Sequence, residues 1–227
     1  VKSSPFFTSI SAFISSQITK MENGMVLTDK GVKYSAETIR GYESLRVHFA
    51  KFEEESGKEL NFNEVGYDFA LAFQAHLTAQ GLAKNSVSMV MSKFKAILKM
   101  AWRKNYCNWN GSGLKTPTER TTQTYLSMEE IKKLRNAELS KTERQIVDAF
   151  TVQIFTGLRY DTLTKFLKNP LAYIHEHNGK SYIDIISDKT GEQSLIPVGE
   201  VVQGILRTYG GEMRIFTEQY VNRMLKN

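Results

Sequence analysis

Apolar residues recur at spacings of three and four through successive stretches of the chain, and each stretch predicts a helix. Ile39, Tyr42, Leu45, Phe49 and Phe52 fall on one face, while Arg40, Glu43 and Lys51 lie off it. Ser35 supplies an N-cap before this run and Gly57 a stop after it. A second helical pattern runs through Phe69, Phe73 and Leu77 to Gly81. A third begins near Asn85, where Val87, Val90, Met91, Phe94, Leu98, Ala101 and Trp102 form a nearly continuous apolar stripe. Phe6–Ile18 predicts a further helix at the start. Four such helices around one core make a bundle of about a hundred residues.

Between Asn108 and Thr124 the periodicity stops and Gly, Ser, Thr and Pro117 take over, so residues 108–124 read as a linker between a helical domain (1–107) and a second domain (125–227). Ser127-Met128-Glu129-Glu130 has a capping-box pattern and opens a helix through Ile131 and Leu134. Another helix carries Ile146, Val147, Phe150 and Ile154 and ends at Gly157. The period then changes from helix to strand. Tyr173–His175, Tyr182–Ile186 and Ser194–Val198 are β-rich, divided by turn signals at Asn178-Gly179 and Lys189-Thr190-Gly191. Val201, Val202, Ile205 and Leu206 return to helical spacing, and Gln219–Lys226 starts one more helix. The fold class expected is mainly α with a small antiparallel β-sheet.

Composition narrows the class. The 227 residues are 41% hydrophobic and 24% charged, ordinary for a globular protein, and no apolar run approaches the roughly 18–20 residues that cross a bilayer. Cys107 is the only cysteine, which excludes an internal disulfide and a multi-cysteine zinc site; a buried, inert thiol in a reducing cytoplasm is expected. The net charge of +6 is uneven. Residues 1–116 hold 15 Lys/Arg against 10 Asp/Glu, residues 117–227 hold 15 against 14, and Lys84–Lys104 contains six basic residues and no acidic one.

That basic run has a face. Ser88, Ser92, Lys95, Lys99 and Arg103 span an arc of about 80° at ~100° per residue, away from the apolar stripe. Hydroxyls and amines on one side of a helix whose other side is anchored in a core suit contact with DNA phosphates and base edges. A solvated face is the alternative, but solvated helices usually mix charge signs and this one does not. Thr38, Arg40, Lys84, Asn85, Lys115 and Arg120 complete the candidate DNA-binding set.

Candidate chemistry lies further on. Thr156-Gly157-Leu158-Arg159 sets an arginine just after a helix-ending glycine, and Lys189 sits in a predicted hairpin turn thirty residues later, ahead of Ile196-Pro197. A guanidinium is a permanently charged fork for two phosphate oxygens. An ammonium on a hairpin can donate a proton to a leaving oxygen. Alone, each is an ordinary surface residue; their order and spacing give them meaning. His175 and His177 share one strand face but have no third partner for a metal, so no metal or cofactor is expected. His48 and His76, on helices, read as packing or surface residues. Tyr42, Tyr182 and Tyr220 fit apolar faces, and no tyrosine has the setting of an activated nucleophile.

With these residues in view, the chain resembles the tyrosine recombinases (phage-type integrases), particularly those of Bacteroidetes-like mobile elements. Tyr34–Tyr42 and the Asn85–Trp102 helix are similar to the family's helical, SAM-like core-binding domain. Tyr125–Ile131 is similar to the opening of its catalytic domain, Phe155–Arg159 to its first arginine box and Ser187–Val198 to its lysine hairpin. Ile215-Phe216 with Gln219–Lys226 is similar to the segment leading toward the next catalytic helix. The resemblance implies a two-domain clamp on duplex DNA and a tyrosine that forms a 3′-phosphotyrosyl link without metal or nucleotide. Arg159 and Lys189 would be the catalytic arginine and lysine. It departs from the family at two points. Thr162, with Asp161 beside it, stands where an acidic residue follows the arginine by three. The H-x-x-R box and the nucleophilic tyrosine do not appear.

The expectation is therefore an integrase-type chain, truncated before half its active site, that binds double-stranded DNA but does not cleave it alone. The alternative is a non-catalytic DNA-binding accessory or regulatory protein on the same scaffold. The resemblance further implies a homotetramer on DNA for the full-length protein. A monomer is expected for this chain, in the bacterial cytoplasm and on the nucleoid when DNA-bound, with no membrane association.

Overall fold

The computed structural model describes residues 9–188, 190–211 and 213–226. The chain divides after Thr122 into two compact units. The first is built from α1 (Ile10–Glu22), α2 (Ala36–Ser56), α3 (Tyr67–Ala79) and α4 (Lys84–Arg103). Ser9 caps α1, which continues four residues past the predicted end because Met21 adds another buried contact. Phe6, in the predicted span, lies outside the described residues. Ser35 Oγ accepts the Thr38 N–H at 3.2 Å at the start of α2, and Gly57 ends it in the left-handed region.

The core of this unit is aromatic. Phe94 of α4 meets Phe49 of α2 at 5.8 Å between ring centroids and Phe73 of α3 at 5.1 Å, and all three are fully buried. Each such side chain contributes about 1.5–3 kcal/mol by leaving water. The buried stripe of α4 is Val87, Val90, Met91, Phe94, Ile97, Leu98 and Ala101. Trp102, assigned to that stripe by spacing, is 46% exposed, and Ile97 on the opposite edge is buried instead. Much of the segment that composition marks as a linker is attached to this unit. Leu114 is buried in its core, and the Asn85 side-chain amide pairs with both backbone groups of Glu119 at 3.0 and 3.1 Å.

The second unit contains α5 (Met128–Asn136), α6 (Lys141–Thr156), α7 (Tyr160–Lys168), β1 (Ile174–His177), β2 (Lys180–Ile186), β3 (Gln193–Pro197), α8 (Glu200–Thr208) and α9 (Glu218–Met224). Capping boxes start both α5 (Ser127/Glu130) and α6 (Ser140/Glu143). The strands form one antiparallel sheet in the order β1-β2-β3, with Ile174, Ile183 and Ile196 in register on its inner face. The turn between β1 and β2 holds Asn178 and Gly179 at φ of 50° and 70°, the left-handed pair that a two-residue hairpin requires. Helix α7 was not expected from periodicity. Its Leu163, Phe166 and Leu167 are buried at helical spacing, but it is only nine residues long and no side chain caps its start. No helix among the described residues is long and apolar enough to cross a membrane.

Candidate nucleic-acid interface and phosphate site

The Thr156–Arg159 segment turns the chain sharply between α6 and α7. Thr156 Oγ1 donates to the Val152 carbonyl at 2.7 Å and accepts the Leu158 N–H at 3.4 Å. Gly157 takes φ 66°, where a Cβ would be strained, and its N–H reaches back to the Gln153 carbonyl at 2.8 Å. Leu158 is buried and accepts the Gln153 side-chain N–H at 3.2 Å. Arg159 emerges exposed, in extended conformation, as the N-cap residue just before α7.

Its guanidinium points to the β2–β3 turn. Nη1 donates to Ser187 Oγ at 3.4 Å, across 28 residues of sequence, and Ser187 itself is buried. The turn closes through Ser187 N–H to the Glu192 carbonyl and Gly191 N–H to the Ser187 carbonyl, at 2.9 and 2.8 Å. Lys165, in the last turn of α7, donates to Asp188 Oδ1 at 2.8 Å. Asp188 in turn pushes the Lys165 ammonium above its usual value. Helix α7 is thus joined to the turn at two successive residues. Lys189, which follows them, lies outside the described residues.

Among the described residues, no carboxylate lies within ion-pair distance of Arg159. Asp161 is turned away onto α7, where its Oδ1 accepts the Thr162 N–H at 2.8 Å and the Thr162 hydroxyl at 3.4 Å. Thr162 is itself buried. Among the described residues, the exposed guanidinium makes one hydrogen bond, long and to a neutral hydroxyl, and meets no carboxylate. An incoming oxyanion would gain a charge-assisted pair there.

The basic face of α4 is more committed than its sequence suggests. Lys95 Nζ donates to the Leu114 carbonyl at 2.9 Å, with its stem against Gly111, so it fastens the 111–114 segment. Asn85 is occupied by Glu119, whose carboxylate also lies 3.8 Å from Lys84. Arg103 lies 3.7 Å from Asp29 and Arg40 3.3 Å from Glu37. Thr38 is engaged with Ser35 in the cap of α2. Acidic partners absent from the helix itself therefore arrive from elsewhere in the sequence. Ser88 is half-buried, whereas Ser92, Lys99, Lys115 and Arg120 are exposed, and the last three have no ion-pair partner among the described residues. The pairs of Lys84, Arg103 and Arg40 are long or solvent-exposed and contribute about 0–1 kcal/mol.

Other polar groups serve packing. Tyr160 donates to the Phe216 carbonyl at 2.6 Å, and Tyr209 to Asp148 at 2.7 Å. Burial raises the pKa of both phenols, and for Tyr209 the Asp148 carboxylate raises it further. Tyr220 stacks on Phe216 at 5.6 Å. His175 and His177 share the exposed outer face of the sheet with Tyr182 and Asp184. No group of three or more His, Cys, Asp or Glu that could hold a metal occurs among the described residues. Cys107 is buried, donates to the Trp109 carbonyl at 3.1 Å, and has its thiol pKa raised by desolvation. Sequence reasoning did not pick out Ser187, Lys165 or Asp188. Ser187 and Asp188 were visible only as neighbours of Lys189, and Lys165 belongs to the helix that periodicity missed.

Comparison with solved structures identifies the architecture. A lambda integrase tetramer bound to a Holliday junction superposes with a TM-score of 0.69 at 13% identity, over 97% of this chain and 65% of that one. The Tn1549 transposon integrase with circular intermediate DNA gives 0.63 at 14% identity, over 93% and 67%. The XerH site-specific recombinase on palindromic difH gives 0.62 at 13%, over 88% and 66%. The chain carries the fold of the tyrosine recombinases and spans just under two thirds of the lambda integrase chain in that tetramer. Within it, residues 10–113 match the family model of the phage integrase SAM-like domain. No curated protein sequence matches the chain at a significant level.

Proposed function

We propose that this chain is the DNA-holding part of a tyrosine-type site-specific recombinase that integrates or excises a mobile element. Arg159 binds the non-bridging oxygens of the scissile phosphate, and Lys189 protonates the leaving 5′ oxygen as a 3′-phosphotyrosyl link forms. Lys99, Lys115, Arg120 and Ser92 hold the duplex backbone, joined by Lys84, Arg103 and Arg40 once phosphates displace their carboxylates. The observation that carries this reading is the exposed Arg159 guanidinium, without a carboxylate partner among the described residues and bonded to Ser187 at the start of the β2–β3 turn. The comparison with integrases and recombinases solved on DNA supports it. Tyr160 and Tyr209 are hydrogen-bonded within their unit and Tyr220 is stacked, so we assign the nucleophile to none of these three. The chain alone then binds DNA without cutting it, and the intact recombinase acts as a tetramer on its sites.

Fluorescence anisotropy with a labelled duplex tests this. The observed affinity should fall with salt at a slope of about −0.9 per phosphate neutralised, and Arg159→Ala should weaken binding severalfold and flatten the slope by roughly one such contact. Absence of binding at about 50 mM salt, or an affinity indifferent to salt, would overturn the reading. The replacement of an acidic residue by Thr162 favours a second reading, a DNA-binding protein of this fold that never cleaves. Covalent phosphotyrosyl–DNA adducts formed by this chain would contradict both that reading and its proposed inability to cut.

A further inference from the structure

The β2–β3 turn carries two acidic residues, Asp188 and Glu192, beside the proposed phosphate site. Asp188 follows Ser187 directly, so its Cα is about 3.8 Å from that of the residue bonded to Arg159. An unrestrained carboxylate there has the charge, the reach and the planar shape to occupy the guanidinium fork itself. It lies instead against Lys165, whose Nζ donates to Asp188 Oδ1 at 2.8 Å. Arg159 is the N-cap of α7 and Lys165 lies in its last turn, about 9 Å further along the axis at ~1.5 Å per residue. The helix therefore offers two cations to two consecutive turn residues, one taking the neutral hydroxyl and the other the carboxylate. The side chains of Lys165 and Asp188 are 38% and 62% exposed, so solvent screens their pairing and it adds little to stability. Its effect is on where the negative charge goes.

We propose that Lys165 is a positioning residue that keeps the phosphate site open by sequestering the Asp188 carboxylate from Arg159. This rests on the reading of Arg159 as a phosphate ligand. Without Lys165, Asp188 swings onto Arg159 and competes with DNA as a built-in phosphate mimic. Glu192, the other acid of the turn, has an exposed side chain and meets Ser187 through its backbone carbonyl, so it provides a control for charge without the latch.

The test is duplex binding by the full chain, using a short fluorescein-labelled duplex of mixed sequence, with the Arg159 Nε–Hε resonance as a second readout. Lys165→Met should weaken binding about three- to tenfold and shift the Arg159 resonance in the absence of DNA, as a carboxylate arrives. Asp188→Asn should bind at least as tightly as the parent. The double variant K165M/D188N should return to within about twofold of the parent, and Lys165→Arg should retain binding, as expected for relief of a competing charge. Glu192→Gln should leave the K165M defect in place. A double variant as weak as K165M, or rescue by E192Q equal to that by D188N, would overturn the proposal, since Lys165 would then act by touching DNA or through general charge. If Arg159→Ala weakens binding and K165M does not, the latch alone fails. If Arg159→Ala changes nothing, the phosphate-site reading fails beneath it.

Discussion

Thr156, Gly157, Leu158 and Arg159 divide one task among four residues. The threonine satisfies backbone groups at the end of α6, the glycine reverses the chain, the leucine anchors in the core and the arginine is left outside. Residue identity matters as much at Tyr209, whose hydroxyl is bonded to the buried Asp148 carboxylate at 2.7 Å. Tyr209→Phe removes that donor and keeps the ring, so the cost falls on the carboxylate, at about 1–3 kcal/mol. Both tryptophans, Trp102 and Trp109, belong to the first unit. Urea unfolding of Y209F should accordingly lower the transition seen by circular dichroism while leaving the tryptophan fluorescence midpoint in place. An unchanged circular dichroism transition would show that Asp148 gains nothing from Tyr209.

At the scale of elements, the helices with long apolar faces and clear caps were legible in the sequence. The α2 face through Tyr42, Leu45 and Phe49, the Ser127 box of α5 and the Gly157 stop of α6 are in the structure where spacing and capping chemistry put them. The three strands were found to within two residues, because β-rich runs flanked by Asn-Gly and Lys-Thr-Gly are strong local signals. Helix α7 was not legible, since a nine-residue helix with three buried apolar positions owes its stability to tertiary packing rather than to propensity. The same limit hid the partners of the site. That Arg159 would meet Ser187, or Lys95 the Leu114 carbonyl, depends on contacts between distant segments that no local pattern encodes. The α6–α7 turn gives a direct test of element geometry. Gly157→Ala forces a Cβ into φ 66° and should cost about 1–2 kcal/mol, read as a lower denaturation midpoint for the second unit. A neutral result would mean the turn can relax out of the left-handed region.

For the whole molecule, pH acts on the first unit through a histidine. The first holds His48 in α2, whose pKa is lowered by burial and then by the Lys51 charge, with the nearby His76 adding to the effect and a Gln80 hydrogen bond opposing it. His76 in turn is bonded to Glu55 at 2.8 Å. A base with a depressed folded pKa binds its proton more readily when unfolded. Its contribution is therefore complete above the usual value near 6.5 and is lost as pH falls through the folded value. The tryptophan-monitored urea midpoint should drop between about pH 7 and pH 5, and His48→Gln should make that slope shallower. An identical slope in both proteins would remove His48 from the account. The pairing of Asn85 with Glu119 has a consequence for the intact chain. With Glu119 pinned, the covalent strap between the units runs from Arg120 to Ser127, and fully stretched it measures about 28 Å at ~3.5 Å per residue. A strap this short confines each unit to an effective concentration in the millimolar range around the other. On the proposed reading the two units then behave toward a duplex as a chelating ligand, whose avidity depends on tether length as much as on any single basic side chain.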